Sequence, residues 1–171
     1  LEHLHLTIAP AAIRVDSVVI ALGEGGPFRL RYTLRCDGGW RVREVRAALL
    51  DDPVPPIVLR ADGAGNWTTG HGQPLPELAG CVDVDITATP FTNTLPIRRL
   101  DWPIGAPRDL DMAYIWVPEM RVARDPQRYT RLGARLFRFE SRDSDFTADL
   151  PIDADGLVVD YPGLFRRRWS A

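Results

Sequence analysis

A chain of 171 residues suits one domain spanning 1–171, because a fold of this size removes roughly 70% of its unfolded surface from water. Its 45% hydrophobic and 26% charged residues exclude disorder, and a formal net charge of −2 supplies no overall positive field to recruit nucleic acid or an anionic membrane. No apolar run is long enough for a transmembrane segment and no secretory leader opens the chain, so a cytoplasmic protein is expected, although Leu1 need not be the native start.

Residues 1–8 alternate His3, His5 and Thr7 against Leu4, Leu6 and Ile8, the period of a strand. Residues 13–22 predict a second strand, and Gly23-Glu24-Gly25-Gly26-Pro27 a hairpin turn into a third. There Phe28, Leu30, Tyr32, Leu34 and Cys36 face one way, and Arg29, Arg31, Thr33 and Arg35 the other. A fourth strand runs from residue 40 to about 50, with Arg41 and Arg43 on the side of Val45, Ala47 and Leu49; this change of apolar face predicts a bend. Residues 57–61 and 67–69 flank a hairpin loop, and 70–79 is a connection carrying His71.

From residue 80, Val82, Val84, Ile86 and Ala88 alternate with Cys81, Asp83, Asp85 and Thr87. This predicts a half-buried strand with two acids on its polar face, ended by Thr89-Pro90. Thr92, Asn93 and Thr94 follow, then Pro96 and the pair Arg98-Arg99, and the spacing of Leu95, Arg98 and Arg99 places a short helical turn within 93–101. Residues 110–117 form a strand with Leu110, Met112, Tyr114 and Trp116 on one face. Strands near 128–132 and 134–141 put Phe137 and Phe139 together. Residues 146–152 and 157–161 form a terminal hairpin, and Arg166-Arg167-Arg168-Trp169 a solvated tail.

No helix of ordinary length emerges, so the class is all-β with little helix: a barrel, roll or sandwich. A sheet of about ten or more strands hides its apolar face by curling on itself. The candidate interior is aromatic, comprising Phe28, Tyr32, Trp40, Tyr114, Trp116, Phe137 and Phe139. These residues either line an apolar groove or fill a core.

Asp83 and Asp85 lie about 6.6 Å apart along one strand face, a separation compatible with an acid–base pair in glycoside hydrolysis. Ion pairs with Arg98 and Arg99 are the structural alternative, and a polar rim hydrogen-bonding sugar hydroxyls is a third. His3 and His5 share a face, but a metal site needs three or four ligands, so neither a metal nor a cofactor is expected. Cys36 and Cys81 suit small buried groups rather than a disulfide framework or a nucleophile. No Gly-x-Ser-x-Gly elbow, phosphate loop or Cys-x-x-Cys pair is present.

The whole stretch from Gly80 to Leu100 resembles the hallmark of a bacterial family named putative glycolipid-binding, catalogued as a domain of unknown function. Tyr32 through Arg43, Gln127-Arg128-Tyr129 and Gly156 through Pro162 are similar to further motifs of that family, so the resemblance covers nearly the whole chain. It implies one large, mainly antiparallel sheet rolled into a spiral β-roll or open barrel, similar in outline to bacterial lipoprotein carriers. It also implies an apolar groove for a lipid or glycolipid and supplies no catalytic residues. The expected function is therefore non-enzymatic binding. Asp83, Asp85, Asn93, Arg98 and Arg99 would form a polar rim, joined by Arg43, Tyr129 and Tyr161. Two alternatives stand beside it: a hydrolase using Asp83 and Asp85, and an interaction module without a cavity. The oligomeric state is not readable from the chain.

Overall fold

A computed structural model describes residues 1–50 and 52–170. The first half is an antiparallel meander of β1 (Glu2–Ala9), β2 (Ala12–Gly23), β3 (Gly26–Asp37), β4 (Val42–Leu49), β5 (Ile57–Ala61) and β6 (Trp67–Thr69). The second half carries β7 (Asp83–Ile86), α1 (Thr94–Arg99), β8 (Pro107–Trp116), β9 (Arg121–Gly133), β10 (Leu136–Ser141) and β11 (Thr147–Pro151), followed by the short pair β12 (Asp160–Tyr161) and β13 (Phe165–Arg166). Its sheet runs in the order β11-β10-β9-β8-β7. The protein is thus mostly β, with a large antiparallel ladder in sections of six and five strands, compatible with a roll or open barrel. One neighbouring pair, β7 and β8, is parallel. Parallel neighbours require a crossover, and the segment holding α1 supplies it. Pro96 sits in the first turn of α1, where its missing N–H removes no helical bond.

Alternation places the first core. Val15 pairs with Leu34, Ser17 with Tyr32 and Val19 with Leu30, all buried on one face of the meander. The opposite face carries arginines, among them Arg31, which is paired at 2.8 Å with Asp16. In β4 the expected bend is a β-bulge: Cys36 pairs with Val42 and Arg35 with Glu44, leaving Arg43 unpaired in the ladder. The extra residue explains why Val42 and Val45, three apart, are both buried.

The five-stranded section is apolar on both faces. Val84, Ile86, Ala113 and Ile115 join the first core, while Met112, Tyr129, Phe137 and Phe139 face a second core with Ile97, Trp102 and Tyr161. All four residues of β7 are therefore buried, and the half-exposed strand expected from its alternation is corrected. The acids do share one face, but the crossover segment supplies side chains that hydrogen-bond and cover them.

Two further expectations change. Strand β11 pairs with β10, so the terminal hairpin is reduced to a turn and the single bridge Ile152–Val158, and β12 pairs instead with β13. Arg167 in the tail is tied to Asp153 at 2.6 Å rather than solvated.

Candidate functional site

Asp83 and Asp85 leave the same face of β7 into different surroundings. Arg99, at the end of α1, grips Asp83 through both oxygens, Nε at 3.0 Å from Oδ1 and Nη2 at 2.6 Å from Oδ2. The pair is enclosed, with side chains 12% and 1% exposed. Burial outweighs Arg99 and holds the Asp83 carboxyl above its ordinary value.

Asp85 has neutral partners instead. Thr92 Oγ1 donates to Oδ1 at 2.6 Å, and Gln127 Nε2 to Oδ2 at 2.8 Å. The same Gln127 nitrogen donates to Asp125 Oδ2 at 2.9 Å, so one amide bridges two carboxylates. Asn93 Nδ2 donates to the Tyr129 hydroxyl at 2.8 Å, and that hydroxyl donates to Gln127 Oε1 at 3.3 Å. Burial raises the carboxyls of Asp85 and Asp125, the latter further through the charges of Asp143 and Asp85. Burial and the Asp85 charge also push the Tyr114 and Tyr161 phenols up.

This network floors an open pocket of about 280 Å³. Asp85, Asn93, Asp125 and Gln127 supply polar atoms, while Tyr114, Phe139, Phe146, Tyr161 and Phe165 supply rings. Phe139 and Phe146 stand edge to face with centroids 6.0 Å apart, and Tyr161 lies 6.3 Å from Phe139 and 6.1 Å from Phe146. Phe146 and Leu164 remain 40% and 57% exposed, which leaves an apolar rim.

The structure brings Asp85, Asn93 and Tyr161 to this pocket, with Tyr129 behind them in the network. Asp83 and Arg99 form their ion pair outside the lining. Arg98 lies over the Trp40 ring at 5.2 Å, and Arg43 bonds Asp37 at 2.9 Å and the Asp62 carbonyl. Of the seven aromatic lining candidates, Tyr114 and Phe139 reach the pocket. Tyr32 and Trp40 are buried in the first core with Phe28 packed against it, Phe137 is buried in the second, and Trp116 meets Tyr114 edge to face.

Asp125, Gln127, Ser144, Phe146 and Leu164 join the site without a signal in the sequence that marks them as lining it. Asp125 precedes Pro126, which mimics a strand end, and only the pairing of β9 with β8 carries it into the site. Both cysteines are buried and free, with burial raising Cys36 to about 12 and Cys81 to about 11, so neither presents a thiolate near neutral pH.

A family model described as putative glycolipid-binding matches residues 1–167. The chain belongs to that family. It is similar to the crystal structure of a DUF1089 family protein from Pseudomonas aeruginosa, with 38% identity, a TM-score of 0.86, and coverage of 98% of this chain and 92% of that one. No curated protein matches. Three of the four segments that carried the resemblance to the glycolipid-binding family meet at the pocket, through Asp85 and Asn93, through Gln127, and through Tyr161. The fourth supports it from behind, because the Tyr32 hydroxyl lies 3.1 Å from Thr89 Oγ1. Among the described residues, no helix is long and apolar enough to cross a membrane.

Proposed function

We propose that this pocket binds the polar headgroup of a glycolipid, with the first methylenes of the lipid lying on the exposed rings at its mouth. The observation that carries this is one cavity joining a ring wall to a floor of buried hydrogen-bonding groups. Sugars present both a C–H face that packs on rings and hydroxyls that need acceptors and donors, and this cavity offers both. A pocket of about 280 Å³ is small for a ligand site, which suits a headgroup better than a whole acyl chain. A chain lodged between the sheets would have to displace Leu30, Tyr32 and Val45, which fill that space with no exposed surface. The protein is thus read as a binder rather than an enzyme. In the hydrolytic alternative Asp83 would need a free carboxylate, yet both its oxygens are engaged by Arg99.

Native mass spectrometry of protein purified without detergent, together with titration by a fluorescent glycolipid, tests this reading. The expected result is a bound lipid adduct, and saturable uptake that Phe146→Ala weakens several-fold. Protein that is free of lipid and takes up neither fluorescent glycolipid nor fatty acid overturns it. Glycosidase turnover abolished by Asp85→Asn would favour hydrolysis instead.

A further inference from the structure

Several acids of this chain are paired with guanidiniums. Asp16 faces Arg31, Asp109 faces Arg128, Asp149 faces Arg138, and the buried Asp83 faces Arg99. Asp85 and Asp125 are held differently. Their hydrogen-bond partners are the neutral side chains of Thr92 and Gln127. Although the protein carries 21 basic residues, no arginine or histidine lines their pocket among the described residues.

The Gln127 bridge holds the two carboxylates together, their nearest oxygens no farther apart than its two hydrogen bonds allow. A carboxylate has about four lone-pair positions, so acceptor capacity remains on both groups. The three-ring cluster of Phe139, Phe146 and Tyr161 lines the same cavity, and a ring attracts a cation that meets its face. The carboxylates therefore give the cavity a negative sign that, among the described residues, no basic side chain in its lining offsets. A neutral hydroxyl does not draw on that excess, whereas a cation does.

We propose that the pocket selects headgroups bearing a positively charged amine, the ammonium of an amino sugar or of a choline-like group, over neutral sugars. This deepens the headgroup reading and rests on it only for the remainder of the ligand. Burial raises both carboxyls and the Asp85 charge raises Asp125 further, and a cation beside them would offset both effects.

Calorimetric titration with glucosamine, choline, glucose and N-acetylglucosamine separates the possibilities. Glucosamine is expected to bind about tenfold more tightly than glucose, a factor equivalent to about 1.4 kcal/mol. N-acetylglucosamine, whose nitrogen is uncharged, should fall with glucose. Whether glucosamine or choline binds more tightly identifies the source of the amine. Asp125→Asn, at a partly exposed acid, should bring the glucosamine-to-glucose ratio close to one in protein whose melting curve is intact. Phe146→Leu keeps the apolar bulk at the mouth and removes the ring, and should weaken choline several-fold.

Equal affinity for glucosamine and its neutral counterparts overturns charge selection and leaves the headgroup reading standing. Failure of all four probes, with fluorescent glycolipid still taken up, does the same. Amine binding without any glycolipid uptake supports the charge inference and removes the lipid.

Discussion

Two aspartates with the same spacing, strand and face have opposite roles because of what the crossover brings to each. Arg99 encloses Asp83, and breaking a buried pair by removing one partner leaves an uncompensated charge. Arg99→Leu is therefore expected to cost about 3–5 kcal/mol in urea unfolding. Asp83→Asn combined with Arg99→Leu should recover much of that loss, and equal destabilisation of the single and double variants would show that the guanidinium acts by packing alone. Asp85 answers to pH instead. Its folded carboxyl titrates above the ordinary 3.8, so its contribution to stability is fully present below that value and is lost as pH rises through the higher folded value. Asp85→Asn cannot ionise, so its stability should improve relative to the wild type as the pH rises from the ordinary carboxylate range towards neutrality. The Asp85 charge also raises Asp125, Tyr114 and Tyr161 in the same pocket, so the difference between the two proteins reports Asp85 together with its coupling to these groups. A gap independent of pH would mean that burial does not perturb this carboxyl. The sequence displayed both acids and both arginines, but spacing along one strand cannot say which arginine reaches which acid. That choice is made by the helix that follows.

At the scale of elements, legibility tracks the purity of the alternation. Strands β2 and β3, apolar and polar by turns, are read directly, and so are the short β5 and β6 between their turn residues. The first half of β9 is not, because Arg121, Arg124 and Pro126 break the pattern of a central strand and only pairing with β8 holds it. The burial of β7 is equally hidden, since the residues that cover its acids come from the crossover and from β9. Turns carry their own constraints. Gly38, between β3 and β4, packs against the turn between β1 and β2 so closely that a Cβ there would overlap the Pro10 carbonyl oxygen. Gly38→Ala should cost about 1–3 kcal/mol as the two turns separate. At Gly25, in the β2–β3 turn, a Cβ would meet nothing within 4 Å, so Gly25→Ala should leave the melting temperature nearly unchanged. Similar losses at both positions would point to turn flexibility rather than the close approach.

For the whole molecule, the aromatic residues expected around one hollow are divided between two cores on either side of β7 and β8. These two strands connect the cores: Val84, Ile86, Ala113 and Ile115 face one, while Met112 on the other face of β8 reaches the second. The pocket opens at the second core, where β7, β9 and β10 meet the C-terminal segment, so residues separated by much of the chain form it. No local pattern could have assembled that set, although its aromatic and acidic ingredients were visible. A shared pair of strands also has a thermodynamic consequence. Neither core can lose its packing while the other keeps both strands in place, so we expect the chain to unfold as one domain. Leu30→Ala in the first core and Leu150→Ala in the second, both fully buried, should each cost about 2–5 kcal/mol. Each should lower one common transition, with tryptophan fluorescence and far-ultraviolet circular dichroism coinciding in both variants. Because the sites lie in different cores, the double variant should show losses that add within about 0.5 kcal/mol. A separate early transition in Leu150→Ala, with the first core still folded, would instead make the second half an independent unit docked on the meander.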